Sequence, residues 1–112
     1  MASYLLQVGY TPEAWANLIT DPHDRIDAVR PVVEKLGGKF THSWFAFGDY
    51  DIVAIVDMPG NVEAAAFSLA AAAGGAVRTI KTTPLLTKAE GVEAMKKAAK
   101  SGYKAPARAA RA

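Results

Sequence analysis

The chain has 112 residues, 51% of them hydrophobic, and a net charge of +2. That is one domain's worth of sequence, apolar enough for a packed core and too apolar for general disorder. It has no cysteine and two histidines, which excludes disulfides, thiolate zinc sites and cysteine nucleophiles and leaves few ligands for a metal.

The charge is unevenly spread. Residues 1–94 carry seven Lys/Arg against eleven Asp/Glu, a sum of −4, whereas residues 95–112 carry six Lys/Arg and no acid, a sum of +6. A mildly acidic body with a basic tail is expected. No apolar run approaches the ~18 residues of a membrane span. The opening "MASYLLQVGY" lacks the basic and long apolar regions of a signal peptide. A cytoplasmic protein with no membrane partner is the expectation.

Ser3–Tyr10 reads as a first strand. Thr11 as cap and Pro12 at the first helical position start a short helical turn. Asp21, Pro22 and Asp24 open a stronger helix, in which Ile26, Val29, Val33 and Leu36 recur at spacings of three and four. Pro31 falls inside it and predicts a kink; Gly37 and Gly38 end it. Lys39–Phe47 and Asp51–Met58 are the second and third strands. Asn61 is a candidate cap for the helix "VEAAAFSLAAAA". The segment "AVRTIKTTPLL" is a fourth strand, and "TKAEGVEAMKKAAK" a last helix weakened by Gly91. Residues 1–100 thus form one domain, and residues 101–112 a low-complexity, basic, disordered tail.

The order β-α-β-β-α-β plus a C-terminal helix is the ferredoxin-like α+β pattern, a four-stranded antiparallel sheet with helices on one face. Its third strand is informative. Ile52, Val53, Ala54, Ile55 and Val56 are apolar without alternation, so both faces of the strand call for burial. Two covers are available for the face without helices: a second copy of the sheet, giving a face-to-face homodimer, or the C-terminal helix folding back within one monomer. The homodimer is the preferred reading.

Between the second and third strands lies Gly48-Asp49-Tyr50-Asp51. Gly48 permits a positive φ and Asp49 tolerates turn geometry. A four-residue loop from Gly48 to Asp51 sets Phe47 opposite Ile52, Trp44 opposite Ile55 and His42 opposite Asp57. Phe45, Phe47, Ile52, Ala54 and Val56 then share the helix-covered face. Phe40, His42, Trp44, Ala46, Asp51, Val53, Ile55 and Asp57 share the other. That second face, apolar with a few polar handles, suits a ligand cavity or a hydrogen-bonded dimer interface.

On this register His42 and Asp57 are the candidate catalytic pair, since a neighbouring carboxylate orients an imidazole as a general base; the structural alternative is a strand-edge ion pair. Tyr50, Asp51, Trp44 and Phe40 are the candidate ligand-binding residues. Tyr50 and Asp51 rim the cavity, cross to a partner subunit or simply shape the hairpin. No metal ligand set and no cofactor motif is present, and "GGKFT" lacks the glycine-lysine spacing of a phosphate loop.

The motif Gly48, Tyr50, Asp51, with Asp49 interposed, resembles the signature of the GYD domain family. "RIDAVRPVVEKLGGKF" upstream and "VEAAAFSLAAAAGGAVRT" downstream support the resemblance over residues 3–95. It implies a dimeric α/β barrel, in a superfamily of ferredoxin-like dimers with cavities between sheet and helices or between sheets. That superfamily includes cofactor-independent monooxygenases, isomerases, haem-handling proteins and ligand-sensing domains. The resemblance brings no activity of its own, and Pro31 and the basic tail depart from its pattern.

Three functions are in play. One is a homodimeric module for a small apolar or aromatic ligand. Another is a cofactor-independent monooxygenase or isomerase working through His42 and Asp57, with Tyr50 binding an oxygen. A third is a structural protein whose tail makes weak, nonspecific contact with a polyanion. Binding is preferred because nothing in the sequence demands a nucleophile, a metal or a cofactor.

Overall fold

A computed structural model describes residues 1–107. The elements follow in the order β1 (Ala2–Tyr10), α1 (Pro12–Thr20), α2 (Arg25–Lys35), β2 (Lys39–Phe45), β3 (Ile52–Met58), α3 (Asn61–Ala73), β4 (Val77–Leu85) and α4 (Lys88–Ala99). The strands form one antiparallel sheet in the order β2-β3-β1-β4, which matches the ferredoxin-like arrangement. Pro84 is accommodated because β4 is an edge strand, where a missing N–H breaks no ladder.

Local chemistry sets the helix ends. Thr11 caps α1 by accepting from the Ala14 amide, and α1 is a full nine-residue helix rather than a single turn. Asp24, not Asp21, caps α2, accepting from the Ile26 and Asp27 amides. The helix runs on through Pro31. Gly37, at φ +88°, turns the chain out of it in a conformation that side chains disfavour. Gly38 follows for a different reason: a Cβ there would lie 2.5 Å from the Asp57 carbonyl oxygen. At the start of α3 the cap is Gly60, without a side-chain bond. Asn61 instead accepts at 2.6 Å from the hydroxyl of buried Tyr4.

The core lies between the sheet and the helices α2 and α3. Along β3, Ile52, Ala54, Val56 and Met58 are buried while Val53, Ile55 and Asp57 between them are half-buried. Tyr4, Leu6 and Val8 of β1 join the buried set, with Ile26 and Val33 from α2 and Ala64 and Phe67 from α3. The opposite face, with Leu5, Gln7, Val53 and Ile55 at its centre, carries no helix. α4 buries none of its residues, so it is not the cover for that face. The chain measures 62 × 35 × 22 Å along its principal axes, elongated for its length. Residues 101–107 form no helix or strand; the rest of the expected tail, residues 108–112, lies outside the described residues.

The hairpin register differs from the expected one. Phe45 pairs with Ile52, Trp44 with Val53, Ser43 with Ala54 and His42 with Ile55. The four-residue loop is there but sits one residue earlier, at residues 47–50, because Ala46 N–H donates to Asp51 O at 2.8 Å. Beyond His42 the register shifts again: Thr41 is left out of the pairing, and Phe40 and Lys39 face Val56 and Asp57. This bulge puts Phe40 into the helix-covered core, where it is buried against Phe67. The expected core residue Phe47 falls in the loop and is 98% exposed.

Candidate functional site

Asp49, Tyr50 and Asp51 of the Gly48–Asp51 motif fasten the hairpin tip to the sheet. Gly48 adopts φ +133°. The Asp49 carbonyl accepts from the Arg78 guanidinium at 2.9 Å. The Tyr50 ring lies 5.8 Å from the Lys81 ammonium, a cation–π contact, and Tyr50 raises the Lys81 pKa above its ordinary value. Asp51 is the buried member. Its backbone N–H donates to Val8 O, and its carboxylate accepts from the Tyr10 amide at 2.8 Å and the Trp15 indole at 3.1 Å. One carboxylate therefore ties β3, the end of β1 and α1 together.

His42 and Asp57 lie on the face without helices but are not partners. His42 is exposed, stacks on the Trp44 ring at 5.8 Å and approaches the Thr41 hydroxyl. Asp57 sits opposite Lys39 on one side and Ser3 on the other, accepting the Ser3 hydroxyl at 2.6 Å. The shifted loop and the Thr41 bulge separate them, so the expected pairing of imidazole and carboxylate is not formed. Trp44 remains on the open face, half exposed. Among the described residues no cluster of His, Asp and Glu could hold a metal ion.

A cavity of about 280 Å³ opens between the sheet and the helices α2 and α3. Leu6, Val8, Ile52 and Phe40 form its floor, and Val29 and Ala71 belong to its helical walls. Of the six residues expected at a site, Phe40 alone lines it. The remaining lining residues come from β1, α2, β3, α3 and β4, and no sequence motif joins them. Arg25 and Tyr10 are the two residues with polar side chains among those that line it. Both, with Ala76, also border a shallower depression against α1, so they stand at the mouth. Tyr10 packs edge-on against Trp15 at 5.8 Å, and through Trp15 and its own amide it is held by Asp51. Burial pushes the Tyr10 pKa above its ordinary value, with Arg25 opposing and Asp51 and Asp24 adding to the rise. Its hydroxyl is therefore a protonated donor at neutral pH.

The fold and cavity define a ferredoxin-like α+β domain with an apolar chamber between its layers. The GYD domain family profile matches residues 4–102, and the chain belongs to that family. No curated protein and no solved structure matches the chain. No helix among the described residues is long and apolar enough to cross a membrane.

Proposed function

We propose that the chain is a homodimeric protein that binds a small, largely apolar ligand in the chamber between sheet and helices. The chamber itself carries this reading. Well-packed cores hold few voids larger than a water molecule, whereas this one reaches about 280 Å³, close to the ~300 Å³ at which ligand pockets begin. A void of ~150 Å³ accepts benzene, so a substituted single ring or a branched chain is the right size. The chemistry is that of holding rather than turning over: no imidazole faces the chamber, and its lining offers no nucleophile beyond a protonated phenol.

The homodimer rests on a separate observation, the uncovered sheet face bearing Leu5, Val53, Ile55 and Trp44. A second copy supplies a surface of the same kind by two-fold symmetry.

Blocking the chamber tests the ligand reading. Ala71→Phe adds a ring from the α3 wall. Nuclear magnetic resonance titration of the intact chain with toluene should shift the methyl signals of Leu6, Val8 and Ile26, and the variant should lose those shifts while keeping the native spectrum elsewhere. Unperturbed methyls in the unaltered protein at millimolar toluene would refute the chamber as a binding site.

A further inference from the structure

We infer that the ligand of this chamber is a small apolar monocarboxylate, its ring or branched chain inside and its carboxylate held at the mouth by Arg25 and Tyr10. The inference rests on the binding reading above and adds the chemical class.

Arg25 is the only charged residue of the lining, and Tyr10 supplies the only other polar side chain. Among the described residues the close contacts between basic and acidic side chains are His23–Asp21 and Arg30–Asp27, and neither involves Arg25. The carboxylates acting on this corner are engaged elsewhere. Asp24 accepts from the Ile26 and Asp27 amides, and Asp51 from the Tyr10 amide and the Trp15 indole. In the adjoining depression the exposed Asp21 carboxylate lies 3.9 Å from the His23 ring. The guanidinium therefore faces no carboxylate partner among the described residues; it lies beside the Tyr10 hydroxyl, whose pKa it lowers, and its remaining donors stand at the cavity.

A planar fork of N–H donors matches a carboxylate bidentately. The Tyr10 hydroxyl can add a third hydrogen bond, and burial favours its neutral, donating form. The charge count selects among anions. One cation and one hydroxyl balance a single negative charge. A phosphate monoester, near −2 at neutral pH, needs further donors, and the lining has no second cation. A neutral ligand would leave the guanidinium desolvated without compensation, which is costly. Arg25 opens α2 directly after its cap, and the positive end of the helix adds to the same field.

The test compares phenylacetate with phenylacetamide, an isosteric neutral, by calorimetric titration of the intact chain at neutral pH. Phenylacetate should bind at least about tenfold more tightly, the value of one hydrogen bond to a charged group. In Arg25→Gln the two ligands should bind equally weakly. Arg25→Lys should retain part of the preference, because it keeps the charge and loses the fork. Tyr10→Phe should reduce phenylacetate affinity several-fold and leave phenylacetamide nearly unchanged. If the amide binds as well as the acid, the carboxylate assignment falls and the apolar chamber stands. If neither ligand binds, and toluene moves no chamber methyl, both fall. If Arg25→Gln does not fold, an undiminished preference in Arg25→Lys would overturn the bidentate geometry.

Discussion

Asp51 and Tyr10 show how one buried contact serves both fold and site. The Asp51 carboxylate takes two N–H donors, one from the backbone of Tyr10 and one from the Trp15 indole, and so sets the ring that borders the chamber. That an acid in this turn would be important was legible in the sequence; that it would turn inward was not. Its partners lie 41 and 36 residues away, and no local pattern reports contacts at such separations. Tyr10 makes a pH prediction. Its folded pKa is raised above the ordinary 10.0, so the folded state holds the phenol proton more tightly than the unfolded chain does. The resulting stability is fully present below about pH 10 and is lost as pH rises through the folded value. Urea titrations should show the unaltered protein losing stability, as pH rises above the ordinary tyrosine value of 10.0, more steeply than Tyr10→Phe. Parallel curves would place the Tyr10 hydroxyl in water.

Among the elements, the strands and helices were legible from their punctuation. Pro12 and the pairs Gly37-Gly38 and Gly74-Gly75 mark ends that the structure places within a residue or so. The pairing of β2 was harder. Threonine is an ordinary strand residue, so nothing marks Thr41 as the one left out of the ladder. The result is that Phe40, expected beside His42 on the open face, belongs to the core. The chamber was missed for a related reason: its walls come from five elements, and periodicity reports one element at a time. Arg25 left a faint signal as a lone cation between a capping Asp and the first apolar residue of the α2 stripe. Helix α4 is legible as a helix through its Thr87–Glu90 capping box, yet it buries nothing. A chain ending at Leu86 should therefore fold with a midpoint unfolding temperature within about 4 °C of the full chain, the shift that ~1 kcal/mol gives a domain of this size. A larger fall would show that α4 packs on the body in solution.

For the whole molecule, the proposed homodimer rests on the uncovered sheet face. Light scattering at micromolar concentration should give twice the chain mass. Val53→Asp should shift the equilibrium toward monomer without unfolding it, because a carboxylate at the centre of that face would be buried unpaired in the dimer. A monomer in the unaltered chain would refute the dimer. The apolar third strand signalled this surface in the sequence, and the half-buried Val53 and Ile55 mark its place. The other large-scale feature is the separation of charge: residues 1–94 sum to −4, while Lys96 and Lys97 in the last turn of α4, about 18 Å of helix, and Lys100 and Lys104 beyond it carry no acid among them. Such a chain has a permanent electric dipole that its net charge of +2 conceals. Two copies approaching in dilute buffer would feel a torque before they touch, each basic end drawn toward the other's acidic body. At physiological salt this orienting force is confined to separations of about 8 Å. If the proposed dimer forms, ionic strength should thus govern how often an encounter is correctly aligned, and the apolar surface how long the pair then lasts.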